Sequence, residues 1–138
     1  MSAERRLAFH GKMFKIAFAR DRDGTFPAEE FFDQLPIADK AKLDSLFRIL
    51  GDNGKHSNPE KFGDLGDGLY EFKSFQIRMP FAYAKDERGL ILITHGFRKQ
   101  KDKVPPSEIA RARRILEEDA KSSKVFVITD QKTKRKRP

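Results

Sequence analysis

The chain has 138 residues, and its net charge of +8, pI near 9.8 and mean hydropathy of −0.70 describe a strongly basic, heavily charged molecule. At this length one domain is expected, and 38% apolar residues with 13 phenylalanines suffice to fill its core. Zero cysteines exclude disulfides, thiol catalysis and thiolate metal sites. No apolar run reaches membrane-spanning length, so a cytoplasmic protein with no membrane contact is expected.

Residues 1–12 read as a flexible polar leader, followed by a single domain over 13–129 and a basic disordered tail over 130–138. Within the domain, Met13 to Ala19 alternates Phe14, Ile16 and Phe18 against Lys15 and the alanines, which predicts a strand. A turn over Asp21 to Gly24 follows, then a short helix with its N-cap region at Thr25, ended by Pro36. Leu43, Leu46, Phe47 and Leu50 recur at helical spacing, predicting a helix from Asp39 that Gly51 or Gly54 stops. From Gly51 to Gly68 the Gly, Asn, Asp and Pro content predicts a long loop.

Three strand-like runs come next. Leu69 to Phe75 sets Tyr70, Phe72 and Ser74 on one face and Glu71 and Lys73 on the other. Gln76 to Ala84 places Ile77, Met79, Phe81 and Tyr83 on its apolar side and Arg78 opposite, while Pro80 points to a sheet edge or a bulge. Leu90 to His95, after a turn at Asp86 to Gly89, is apolar on both faces, as a central strand would be. A third helix opens at Pro105-Pro106-Ser107-Glu108, with an apolar stripe of Ile109, Ala112, Ile115 and Leu116 and with Arg111, Arg113 and Arg114 outward. Lys124 to Thr129 reads as an added edge strand.

The charge calls for a polyanionic partner, nucleic acid or an acidic protein segment, against the plainer reading that excess lysine serves solubility. No Walker, HExxH or GxSxG motif is present, and His10, His56 and His95 are scattered, so no metal or other cofactor is called for. What remains suits cleavage of RNA by its own 2′-hydroxyl, which needs a base, cations at the phosphate and an acid for the leaving oxygen. Glu71 is the candidate base, Lys73 and Arg78 the candidate phosphate holders, and His95, Lys99 or Lys101 the candidate acid or added charge. Arg98, Lys101, Lys103 and Arg111 are candidates for further RNA contacts. Each has a plainer role: Glu71 in a cross-strand ion pair, His95 capping a strand end, Tyr70 and Tyr83 in the core, the RKQKDK run as a solvated loop.

The succession Leu-Tyr-Glu-Phe-Lys, then Ile-Arg and an apolar run ending at Tyr83, then Leu-Ile-Thr-His-Gly-Phe-Arg-Lys-Gln-Lys and a Pro-Ser-Glu-Ile helix start resembles the RelE/HigB-type toxins of toxin–antitoxin pairs, and among them the phage-derived HigB-like subgroup. The resemblance spans roughly Met13 to Asp119. It implies an α+β fold with a small, mainly antiparallel sheet, two N-terminal helices packed on it and one C-terminal helix. It also implies ribosome-dependent mRNA cleavage, inhibition of translation, and a helix-turn-helix antitoxin that covers the basic surface. Lys73, Arg78 and Arg98 or Lys99 match the basic positions such toxins use on RNA. Glu71 departs from the pattern, standing where some members place lysine, and their C-terminal aromatic or histidine has no clear counterpart. The alternative is a binding module of the same fold that docks a protein or holds RNA without cutting it, or serves as the antitoxin's partner.

Overall fold

A computed structural model describes residues 5–54, 57–100 and 102–136, with side chains as far as Ser122. Seven strands form one sheet. In chain order the elements are β1 (Arg6–His10), β2 (Lys15–Phe18), α1 (Pro27–Asp33), α2 (Ile37–Asn53), β3 (Phe62–Gly66), β4 (Leu69–Ser74), β5 (Ile77–Tyr83), β6 (Leu90–Ile93), β7 (Phe97–Arg98) and α3 (Pro106–Lys136). The strand order is β1-β2-β6-β5-β4-β3, with β7 pairing β5 beyond the end of β6. Every pairing is antiparallel except β2 with β6. The fold is therefore α+β with a mostly antiparallel sheet. Among the described residues no helix is long and apolar enough to cross a membrane.

The two faces of the sheet follow from strand alternation. On one face Ile16, Phe18, Phe62, Phe72, Ile77, Met79, Phe81, Ile91 and Ile93 meet Ala28 of α1 and Leu43, Leu46, Phe47 and Leu50 of α2. On the other, Ala17, Ala19, Leu90 and Leu92 meet Ile115, while Leu69 and Ala82 meet Ala112, so α3 covers the opposite side. Helix α2 begins at Pro36 without a side-chain cap, and its first turn gains only Asp39. Burial of its four-residue stripe, at roughly 1.5–3 kcal/mol per large side chain, is what holds it.

Several elements differ from the sequence reading. Residues 6–10, assigned to the leader, form β1 against β2. Phe62–Gly66, inside the expected loop, form β3, because β4 supplies the backbone partners that Gly63 and Gly66 give no propensity to seek. Gly51 lies within α2 rather than ending it; a Cβ there would stand 2.7 Å from the Phe9 ring, and the helix ends at Gly54 with φ 68. Thr25 caps nothing: its hydroxyl donates to Asp21 at 2.6 Å, and Phe26 stands at the helix start. The run 124–129 is helical, since no glycine or proline interrupts α3 between Pro106 and Lys136. The helix likewise continues through 130–136 of the expected tail.

Pro80 sits inside the sheet, opposite Glu71. Its carbonyl accepts the Thr94 N–H at 2.9 Å, so its missing donor faces the break between β6 and β7, where no ladder bond is lost. The β4–β5 hairpin closes through Phe75 and Gln76, with Ser74 opposite Ile77. Phe75 has φ 54, a left-handed conformation that costs a bulky residue about 1–2 kcal/mol. At the far edge, Asp119 is 1% exposed and ties three elements together: it accepts from Arg5 Nη1 at 2.6 and 2.8 Å and from the Arg20 N–H at 2.9 Å.

Candidate functional site

Glu71, Lys73 and Arg78 share the α3-side face of the β4–β5 hairpin, as alternation requires, with Lys73 directly opposite Arg78 and Glu71 diagonal to it. Glu71 is 5% exposed, and its Oε1 has no hydrogen-bond partner. Its Oε2 stands 3.9 Å from Arg78 Nε, close enough for attraction and too far for a hydrogen bond. Burial pushes the Glu71 carboxyl above its usual range, opposed by Arg78, Lys73 and Lys99. Behind it, a Cβ on Gly63 would stand 2.6 Å from Oε2, so the carboxylate has room only because β3 carries glycine there. No sequence signal marked Gly63, since β3 itself was hidden.

Arg78 is 8% exposed and turned inward: Nη1 donates to the carbonyls of Phe75 at 2.6 Å and Ile77 at 2.9 Å. It braces the hairpin and sets charge behind Glu71, leaving Nε without a hydrogen-bond partner. It lines neither of the two clefts described next.

A cleft of about 520 Å³ opens over this face, lined by Glu71, Lys73, Lys99, Tyr70, Gly63 and Pro59 among others. Lys73 is held at its wall by a 2.8 Å bond from Nζ to the Pro59 carbonyl. Lys99 reaches the same cleft because its N–H pairs with the Gln76 carbonyl at 2.7 Å, extending β7 beside β5. Asp64 and Asp102 also line it, so beside Glu71 the cleft holds two carboxylates that the sequence reading did not single out. A second cleft of about 750 Å³ shares Lys99 and Asp102 and adds Arg98, Lys103 and Glu108. Arg98 and Lys103 are exposed there. Lys101 lies outside the described residues.

His95 is elsewhere. It is wholly buried, with Nδ1 2.9 Å from Thr94 Oγ1 and Nε2 2.9 Å from Glu108 Oε1, and its ring stacks on Phe97. Burial lowers its pKa to about 4, Arg111 and Arg114 push the same way, and Glu108 opposes them. At neutral pH the ring is uncharged, and the two contacts are met by a proton on Nε2 facing the carboxylate and a Thr94 hydroxyl donating to Nδ1. Its position pins the end of β6 to the first turn of α3, and it lines neither cleft. The following Gly96 is required by packing: a Cβ there would overlap the Phe31 ring.

The α3 arginines divide. Arg113 Nη2 donates to the Gly66 carbonyl at 3.0 Å, and Arg114 pairs with Glu118 at 3.6 Å along the helix. Arg111 is half-buried, acts on Asp21 and His95 through its charge, and is absent from both clefts. The geometry thus gathers Glu71, Lys73 and Lys99 at one cleft, Arg98 and Lys103 at its neighbour, and leaves Arg78, His95 and Arg111 as supports. Among the described residues no group of three or more His, Asp and Glu side chains is placed to hold a metal ion.

Residues 30–117, more than half of the chain, match the model of the family described as phage-derived protein Gp49-like (DUF891). The chain belongs to this family. The Gp49-like region runs from α1 into α3 and takes in both clefts, while β1 and β2 precede it. No curated protein matches the chain.

Proposed function

We propose that this Gp49-like protein is the toxin of a toxin–antitoxin pair, an endoribonuclease that cuts mRNA on the ribosome and so inhibits translation. The observation that carries the reading is Glu71: a buried carboxylate, short of a hydrogen-bond partner and raised in pKa, on the wall of a cleft that also presents Lys73 and Lys99. Such a group is a base poised nearer neutrality than an ordinary carboxylate, and it has no structural bond to give up when it takes a proton. Membership of a phage-derived family supports the assignment, as does the RelE/HigB-like order of motifs through β4, β5 and β6.

In the proposed reaction the Glu71 carboxylate accepts the proton of a substrate 2′-hydroxyl, whose oxygen attacks the adjacent phosphorus. The P–O5′ bond breaks, giving a 2′,3′-cyclic phosphate and a 5′-hydroxyl. Lys73 and Lys99 offset the charge that develops on the phosphoryl oxygens, and Lys99 delivers the proton to the leaving 5′-oxygen. Arg78 acts from behind, limiting how far the Glu71 pKa rises. Asp64 and Asp102 repel phosphate from part of the cleft, which confines the backbone to the lysine side. His95, neutral and enclosed, keeps the end of β6 and the start of α3 in register.

The test is primer-extension mapping of new 5′ ends on mRNA, free and on programmed ribosomes, with wild-type protein, Glu71→Gln and a Lys73→Ala, Lys99→Ala variant. Cuts with wild type that are lost in both variants support the assignment. A folded wild-type protein that makes none refutes the nuclease, and the same domain is then a binding module for RNA or protein.

A further inference from the structure

Phe75 occupies the first position of the two-residue β4–β5 loop with φ 54; among the described non-glycine residues only Asp67 also has positive φ. Glycine, asparagine and aspartate take such positions with little strain. Here the position carries an aromatic ring instead, and the ring is 71% exposed. Neither folding nor solubility gains from that choice, and a residue held against both preferences points to a surface task.

The surroundings say what the ring meets. Lys42 Nζ lies 3.8 Å from the ring centroid, so α2 steadies the ring by a cation on its face. The loop that carries it adjoins a residue of the cleft, since the Gln76 carbonyl accepts the N–H of Lys99. Lys73 precedes Phe75, which lies just past the end of β4, by two residues, at most about 7 Å of chain and comparable to one step of an extended nucleotide chain. An exposed π-face set among cations and one step from candidate phosphate contacts has the make-up of a stacking site for an unpaired base.

We propose that Phe75 is the platform on which an RNA base next to the scissile phosphate stacks, held out of the cleft while Lys73 and Lys99 take the backbone. The inference rests on the RNA-cleaving reading and adds a recognition subsite to it. Stacking of this kind tolerates every base, so Phe75 sets how firmly and in which register the strand lies, and discriminates little among sequences.

The experiment uses a fluorescein-labelled, 2′-O-methylated oligoribonucleotide, which cannot be cut by its own 2′-oxygen, and reads affinity by anisotropy at low salt. Phe75→Asn, which suits the left-handed turn, is expected to melt no lower than wild type and to bind about tenfold more weakly, with Phe75→Leu weakened alike because it lacks a π-face. Phe75→Trp should restore affinity, and because the chain has no tryptophan its emission reports the site directly: stacking quenches it. Undiminished binding by Phe75→Asn with no quenching of Phe75→Trp, while Lys73→Ala, Lys99→Ala loses affinity, overturns the platform and leaves the RNA reading standing; a protein partner for Phe75 would give that result. If wild type fails to bind the oligonucleotide, the RNA reading falls and the platform with it.

Discussion

Glu71→Gln keeps the shape of the side chain and removes its charge. The Glu71–Arg78 attraction at 3.9 Å is worth roughly 4 kcal/mol at an effective dielectric of about 20. Against it stands the desolvation of a carboxylate that is 5% exposed and has one oxygen without a partner, a cost of several kcal/mol. The raised pKa says that desolvation wins. With its folded pKa above its unfolded one, Glu71 binds more protons folded than unfolded between those values, so it lowers stability as pH rises through that window. The glutamine variant escapes this, although its loss of charge leaves Arg78 less well matched. We expect Glu71→Gln to be about 1 kcal/mol more stable than wild type near pH 8, a melting shift of about 4 °C, with the difference shrinking toward pH 4. RNA cleavage should fall by about 10²–10⁴. Paired denaturation curves at the two pH values measure the difference, in which all other titrating groups cancel. A variant less stable than wild type near pH 8, but equal to it near pH 4, would show that Glu71 is a structural ion-pair partner and would remove it as the base.

Four further outcomes are expected. Gly63→Ala puts a methyl 2.6 Å from Glu71 Oε2 and should drive the carboxylate into the cleft, cutting cleavage at least tenfold while leaving RNA affinity near wild type; an unchanged rate would show that the position of Glu71 is immaterial. Lys73→Ala and Lys99→Ala should each weaken oligonucleotide binding at every sequence and reduce the dependence of log K on log salt by about 1, with an unchanged slope counting against phosphate contact. His95→Gln should cost about 1–3 kcal/mol through its buried bond with Thr94 and its part-buried bond with Glu108, read by urea denaturation. Because the His95 pKa is depressed to about 4, wild type loses stability as pH falls below the unfolded value of about 6.5, and the variant should lose less over that range.

The parts of this molecule that could be read from sequence are those whose pattern is local. The α2 stripe, the alternation of β4 and β5, and the two-sided apolar run of β6 each state their own burial, and together they place Glu71, Lys73 and Arg78 on one face. What was hidden depends on a partner far away in the chain. β3 is strand only because β4 lies beside it, and Gly63 matters only because Glu71 lies across the ladder. β1 alternates weakly and becomes strand by pairing with β2. The β-prone run 124–129 has no neighbour in the sheet, so helix continuity decides it. Arg78 was correctly placed in its strand, while β6 ends at Ile93, short of the expected His95; whether a polar side chain turns toward a cleft or back into the fold is settled by tertiary contacts.

The clasp at Asp119 sets an order of events in synthesis. Glu71, Lys73 and Lys99 all precede α3, yet the anchor that fastens Arg5 and the Arg20 backbone comes from α3, 99 residues after Arg20. A nascent chain can therefore align β4, β5 and β6 while the Arg5 end of its N-terminal edge is still unfastened. Until Asp119 emerges, the newborn domain holds a nearly finished cleft at one side of the sheet while the β1 edge, at the other side, lacks its clasp.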